Sequence, residues 1–249
     1  MDSMPVWFVK FGHSSLKAQI FWIDPFPIRK LTTRMSVEAR PLILFAVPEE
    51  AAPFRKRVGE GTSPRIAVTG MGAVNARRTL DEALAVESPS YVITSGFAGA
   101  LNPDLSTGDV LWNADEDFPL LEEERSKLGR PSSFLCAERV LVSREEKSAA
   151  YKKTGCDAVD MESGVIRSMC REKGIPSMTL RIVSDAALED MPLDFNKIVN
   201  ERMEVSGLRI AWQVLTHFWR IPALIRFQGV VKRCSDELAV VLEKACSSG

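Results

Sequence analysis

From Pro41 onward, short apolar runs alternate with stretches whose apolar residues recur every three or four positions. The first kind reads as buried strands and the second as helices with one face against a core. Predicted strands are PLILFAV (Pro41 to Val47), RIAVT (Arg65 to Thr69), YVITS (Tyr91 to Ser95), GDVLW (Gly108 to Trp112), RVLVS (Arg139 to Ser143) and SMTLRIV (Ser177 to Val183). A helix is expected after Pro48 with Glu49 and Glu50 in its first turn, and another over Asn75 to Val86 with Ala76, Leu80, Ala83 and Leu84 on one face. A third runs through Ala150 to Lys153. AVDM (Ala158 to Met161) leads into a fourth, from Glu162 to Lys173. The polar stretch from Asp115 to Pro131 reads as a surface loop or a short helix. This alternation predicts an α/β fold: one domain over residues 41–204, with a mostly parallel, twisted central sheet flanked by helices. Residues 1–40 read as a poorly ordered extension. Residues 205–249 read as a helical, apolar tail, broken at Pro222.

Composition narrows the picture without changing it. With 249 residues, 45% hydrophobic, the chain can bury a substantial core. A formal net charge of -1 gives no reason to expect nucleic acid as a partner. The five cysteines form no CxxC pair, and the only histidines are His13 and His217, so no metal site is expected. Unpaired thiols point to a reducing, cytoplasmic setting. No run of about 18 uncharged apolar residues suggests a membrane span. No cofactor motif stands out.

The candidate chemistry lies in acidic groups at strand ends. Glu49 and Glu50 close the first strand, DMES (Asp160 to Ser163) follows AVDM, and RIVSD (Arg181 to Asp185) ends the last strand. In open α/β sheets such positions face the crevice where ligands bind. Each has a plainer explanation as a helix cap or a first-turn acid. Two glycine-rich segments, GMGAVNA (Gly70 to Ala76) and GFAGA (Gly96 to Ala100), follow strands. Either suits close backbone approach to a ligand, or simply a tight turn.

In the order acid, glycine segment, glycine segment, DME, SD, these pieces resemble the nucleoside phosphorylase and nucleosidase superfamily. They are most similar to its 5'-methylthioadenosine/S-adenosylhomocysteine nucleosidase branch. The matching segments are AVPEE (Ala46 to Glu50), TGMGAVNA, SGFAGAL with GDV, VDMES and RIVSD. The resemblance implies that Asp185 is the general acid at purine N7, helped by Ser184. It implies that Glu50 polarises the attacking water, Glu162 accepts from the ribose hydroxyls and Met161 lies against the sugar. Val47, Gly72, Phe97, Ala98 and Gly99 would complete the substrate-binding surface. An acid of this kind must keep its proton near neutral pH, which a secluded crevice favours. Three departures stand out. Asp160 stands where the family usually has Glu, and Phe97 where it has a small residue. The segment from Ser143 to Glu146 lacks the aromatic expected to stack on the base.

The resemblance further implies a small nucleoside substrate, no cofactor and a homodimer. Phosphorylases of the family carry a cationic, glycine-rich phosphate loop after the first strand, whereas this chain has Pro48, Glu49 and Glu50 there. Hydrolysis is the expected reaction, with phosphorolysis as the alternative. The tail resembles that of the hopanoid-associated phosphorylase subfamily, which implies an adenosylhopane-like substrate. Its Trp212, Phe218, Trp219 and Phe227 with interspersed Arg209, Arg220 and Arg226 suit peripheral membrane contact through residues 207–228. A helix packed on the domain explains the same pattern. A catalytically silent nucleoside-binding protein is the reading from another class.

Overall fold

The structure is a computed structural model that describes residues 40–59, 64–192, 194–198 and 221–247, all within one compact unit, Glu38–Gly249. Eight strands form one sheet. Its main path runs β2 (Arg65–Val68), β1 (Leu42–Phe45), β3 (Val92–Ala100), β8 (Ser177–Asp185), β4 (Val110–Ala114) and β5 (Arg130–Pro131). Strand β7 (Ala158–Asp160) pairs with the far end of β3, and β6 (Phe134–Cys136) pairs with β7. The pairings β1–β2, β1–β3, β3–β8, β4–β5 and β6–β7 are parallel, while β4–β8 and β3–β7 are antiparallel.

All four residues of β1 and all nine of β8 are buried, as expected of strands covered on both faces. Successive side chains alternate between two cores. Ile43 and Phe45 face α1 (Pro48–Val58) and α7 (Ile221–Ser247), joining Phe54, Ile93, Leu180, Ile182, Leu238 and Leu242. Leu42 and Leu44 face the opposite way, onto Ala76 and Leu80 of α2 (Ala73–Val86) and Ile166 and Met169 of α5 (Ser163–Glu172). Among the described residues three short or peripheral helices complete the fold: α3 (Glu122–Leu128), α4 (Arg144–Thr154) and α6 (Phe195–Ile198). The first of these is the short helix expected within the polar stretch.

Three expectations change. The GFAGA segment is no turn: β3 runs straight through it to Ala100. Pairing with β8 on one side and β7 on the other satisfies its backbone, so the glycines serve close approach within a strand. RVLVS forms no strand. Its Val140 is held through backbone bonds to the Asn196 side chain, and Val142 leads into the cap of α4; the pairing edge is taken instead by β5 and β6. Pro222 makes no break among the described residues, since it stands at the second residue of the helix Ile221–Ser247. Residues 1–39, together with Arg209, Trp212, His217, Phe218, Trp219 and Arg220, lie outside the described residues.

The C-terminal half of α7 buries Cys234, Ser235, Leu238, Ala239, Leu242 and Ala245 against the sheet. Its first turns differ: Ile221 and Ile225 are exposed, Arg226 is exposed and Phe227 is half-buried. Among the described residues no helix is long and apolar enough to cross a membrane.

Candidate active site

Strand ends place the acids. Immediately after β1 the chain turns into α1, with Pro48 in its first turn; Glu49 points to solvent while Glu50 turns inward and is buried. The Glu50 Oε2 atom accepts the backbone N–H groups of Ala46 (3.0 Å) and Val47 (3.2 Å). Its other oxygen, Oε1, accepts the Phe97 N–H at 2.8 Å, which ties the start of α1 to β3. Gly96 makes this possible: its φ is +143°, and a Cβ there would lie 2.5 Å from Oε1. Glu50 is thus both the first-turn acid expected from capping and a buried residue that ties the end of β1 to β3. Burial pushes its carboxyl above the ordinary value, against the pull of Arg181 and the three backbone N–H groups.

The segment that follows β7 divides the two readings of DMES between its acids. Asp160 performs the capping role: its Oδ1 accepts from the Ser163 N–H (3.3 Å) and hydroxyl (2.8 Å) at the start of α5. Glu162 makes no side-chain cap. It crosses to the Gly72 N–H at 2.7 Å, and its carboxyl is pushed up to about 7 by burial, opposed by Arg181 and aided by the nearby Asp160. Gly72, at φ +86°, presents that N–H at the entry to α2. Met161, next to Glu162 in the chain, is buried.

Arg181 joins these acids. It lies in the middle of β8 at 2% exposure, with Nε 2.8 Å from Asp160 Oδ2, Nη2 3.1 Å from Thr94 Oγ1 and Nη2 3.8 Å from Glu162 Oε2. Burial works against its charge, but Asp160, Glu162 and Glu50 outweigh that and hold the guanidinium charged.

At the end of β8 the register with β3 slips: Ala98 is opposite Val183, and Gly99 is opposite Asp185. This bulge re-aims the last two side chains. The Ser184 hydroxyl donates to Asp185 Oδ1 at 2.6 Å. Gly99 passes close by, for a Cβ there would lie 3.1 Å from Asp185 Oδ2. No helix begins at Asp185, so its alternative reading as a cap does not hold. Its partner is Lys147, whose Nζ lies 2.6 Å from Oδ2 and is fully buried.

Every residue expected at the site therefore falls at one end of the sheet, around β1, β2, β3, β7 and β8. Sequence reading missed two. Arg181 left a signal, a lone charge inside an apolar strand, which implies a buried ion pair. Lys147 left none, because SREEKSAAYKK reads as a solvated helix. Ser143 to Glu146, where an aromatic was sought, is a capping box: Ser143 accepts from the Glu146 N–H, and Glu146 reaches back to the N–H groups of Val142 and Ser143. The arginines Arg77 and Arg78 lie exposed on α2.

The sequence pattern of the phosphorylase superfamily matches residues 37–112 and 123–214. The chain is 24% identical over 204 residues to the 5'-methylthioadenosine/S-adenosylhomocysteine nucleosidase of Mycobacterium bovis, covering 60% of this chain and 80% of that protein. It is 23% identical over 211 residues to the enzyme of the same name from Anoxybacillus flavithermus, covering 64% and 90%. Two solved structures share the fold. The nucleosidase of that name from Campylobacter jejuni has a TM-score of 0.60 at 17% identity, over 84% of this chain and 98% of that one. Futalosine hydrolase of Helicobacter pylori has a TM-score of 0.59 at 17% identity, over 83% and 97%. With the sequence pattern spanning most of the α/β domain and the fold agreeing with it, this chain belongs to the phosphorylase superfamily.

Proposed function

We propose that the protein is a nucleosidase that hydrolyses the N-glycosidic bond of a 5'-modified adenosine and releases adenine. The observation that carries this reading is the gathering of three buried carboxylates, Glu50, Glu162 and Asp185, at one end of the sheet, each in a different setting. Cleavage of the bond needs a proton for the departing base and negative charge beside the cationic sugar. Asp185, steadied by Ser184, supplies the proton at N7. Glu162 accepts from the ribose hydroxyls, with Met161 beneath the sugar, and Glu50 orients the attacking water. The backbone of Val47, Phe97, Ala98 and Gly99, with the N–H of Gly72, lines the remainder.

Water is favoured over phosphate because the residue at the acceptor position is a carboxyl group rather than a cation. Its one buried guanidinium neighbour, Arg181, is already shared among carboxylates, and an additional anion would be repelled. The test is to incubate the protein with 5'-methylthioadenosine, with and without phosphate, and to assay adenine and the sugar product. Free sugar at a phosphate-independent rate supports hydrolysis. A 1-phosphate product requiring phosphate would make it a phosphorylase, and no adenine at all would leave the silent binding protein standing.

The 5' group is proposed to be lipophilic, as in adenosylhopane, ahead of the methylthio and homocysteinyl groups. Exposed Ile221 and Ile225 beside Arg226 on α7 favour this, since apolar residues flanked by arginine suit a lipid surface. Each arginine near an anionic surface adds about 1 kcal/mol of attraction. Binding to anionic vesicles that falls with salt, and with Ile225→Glu, supports peripheral membrane contact. Vesicle binding insensitive to both would remove it. The protein is also proposed to act as a homodimer, which sedimentation checks.

A further inference from the structure

Lys147 is the most deeply buried charge that the proposed reaction does not use. It projects from the first turn of α4, at 0% exposure, and its ammonium has three acceptors arranged around it. These are the carbonyl of Ala186 at 2.9 Å, the carbonyl of Glu189 at 2.8 Å and Asp185 Oδ2 at 2.6 Å. An ammonium has three donors, so every N–H is used and none is free for water. The segment from Ala186 to Met191 is fastened to the start of α4 and the residues just before it twice more: Asp190 Oδ1 accepts the Arg144 N–H at 2.9 Å, and the Met191 N–H donates to the Val142 carbonyl at 2.8 Å. The ammonium is thus fixed by its surroundings before any substrate arrives. Burying a lysine costs several kcal/mol unless it is paired, and a surface helix such as SREEKSAAYKK gives no packing reason to turn one inward.

We propose that Lys147 is the positioning residue of Asp185, holding its carboxyl in line and stabilising the carboxylate left when its proton passes to the base. This rests on the reading of Asp185 as the general acid. In the step, the O–H bond of Asp185 breaks as N7–H forms. The C1'–N9 bond breaks with its electron pair going to the base, and the water oriented by Glu50 adds to C1', forming the C1'–O bond and losing its proton to solvent. Lys147 takes no part in the transfer, and its Nζ, 2.6 Å from Oδ2, meets the charge that appears on Asp185. A preorganised charge of this kind helps only as the carboxylate develops, so it acts on turnover rather than on substrate affinity.

The experiment compares two leaving groups: 5'-methylthioadenosine, whose adenine needs a proton, and 4-nitrophenyl β-D-ribofuranoside, whose nitrophenolate departs without one. Lys147→Met should lower kcat on 5'-methylthioadenosine by about 10²-fold with KM little changed. It should leave the nitrophenyl riboside within about threefold of wild type, a margin that allows for small adjustments of the pocket. Lys147→Gln, which keeps a donor and removes only the charge, carries the same test if the methionine variant does not fold. Equal loss on both substrates, or undiminished turnover of 5'-methylthioadenosine, overturns the proposal. Asp185→Asn, assayed alongside, separates the two readings. If it spares 5'-methylthioadenosine, the assignment of Asp185 fails. If it abolishes that activity while Lys147→Met does not, only the role of Lys147 fails.

Discussion

Around Arg181, three buried carboxylates share one guanidinium; at the end of the same strand, Asp185 has an ammonium to itself. In the first group acids outnumber bases, and burial wins at two of them. Glu50 is raised above its ordinary value and Glu162 is pushed up to about 7. In the second, one carboxyl group meets one lysine Nζ, and the other N–H groups of Lys147 go to carbonyls. Both groups use the same side-chain chemistry on neighbouring elements. The number of charges per counter-ion sets what each can do. A shared cation leaves burial to raise Glu50 and Glu162, while a dedicated one fixes the position of the Asp185 carboxyl group.

The comparison breaks most directly at Asp185. Asp185→Asn should cost about 10² to 10⁴ in the rate of adenine release, because an amide has no proton to give N7. Its fold should persist, since the amide still accepts from Lys147. Near wild-type turnover would end the assignment. Arg181→Met tests the other group: it strands three acids around an apolar side chain. Removing one partner of a buried pair costs about 3–5 kcal/mol, and urea unfolding should register a loss of that order. A midpoint close to wild type would show that the acids simply take up protons.

Glu162→Gln sharpens the contrast through pH. For wild type, the acidic limb of kcat/KM should bend near pH 7, where Glu162 gains the charge that steadies the sugar cation. Stability should move the opposite way. A carboxyl raised in the fold contributes fully below its ordinary value of 4.5, and that contribution is lost as pH rises to about 7. The glutamine variant should lose both dependences and about 10² in rate. A pH profile unchanged by the substitution would place the titrating group elsewhere. Gly96→Ala is the smallest of these changes. A Cβ 2.5 Å from Glu50 Oε1, at a φ of +143°, should cost about 1–3 kcal/mol and a modest share of turnover. Unchanged unfolding and kinetics would mean that Glu50 shifts freely and that its bond to the Phe97 N–H is dispensable.

The strands β1, β2, β4 and β8 and the helices α1, α2 and α5 were legible in the sequence because each carries a clean apolar period. Elements that rest on partners were not. Strands β5 and β6 are two and three residues long and exist only through their neighbours, while RVLVS has a strand's composition but bonds to the Asn196 side chain and the cap of α4. The glycine segment at Gly96 to Ala100 looked like a turn because glycine marks turns more often than strands. There the neighbours Glu50 and Asp185 need the space of a missing Cβ, and a pattern along one chain cannot express that.

The sequence by itself determined the α/β architecture and the presence and order of Glu50, Glu162, Ser184 and Asp185 at strand ends, because local periodicity and strand direction dictate where such side chains emerge. Only the tertiary structure decided how these acids are partnered. It chose Asp160 for capping and sent Glu162 to Gly72, shared Arg181 among the carboxylates and brought Lys147 from α4 to Asp185, 38 positions away. The physical reason is that burial and charge pairing depend on distances across the fold, and these arise only once helices and strands far apart in the chain have packed together.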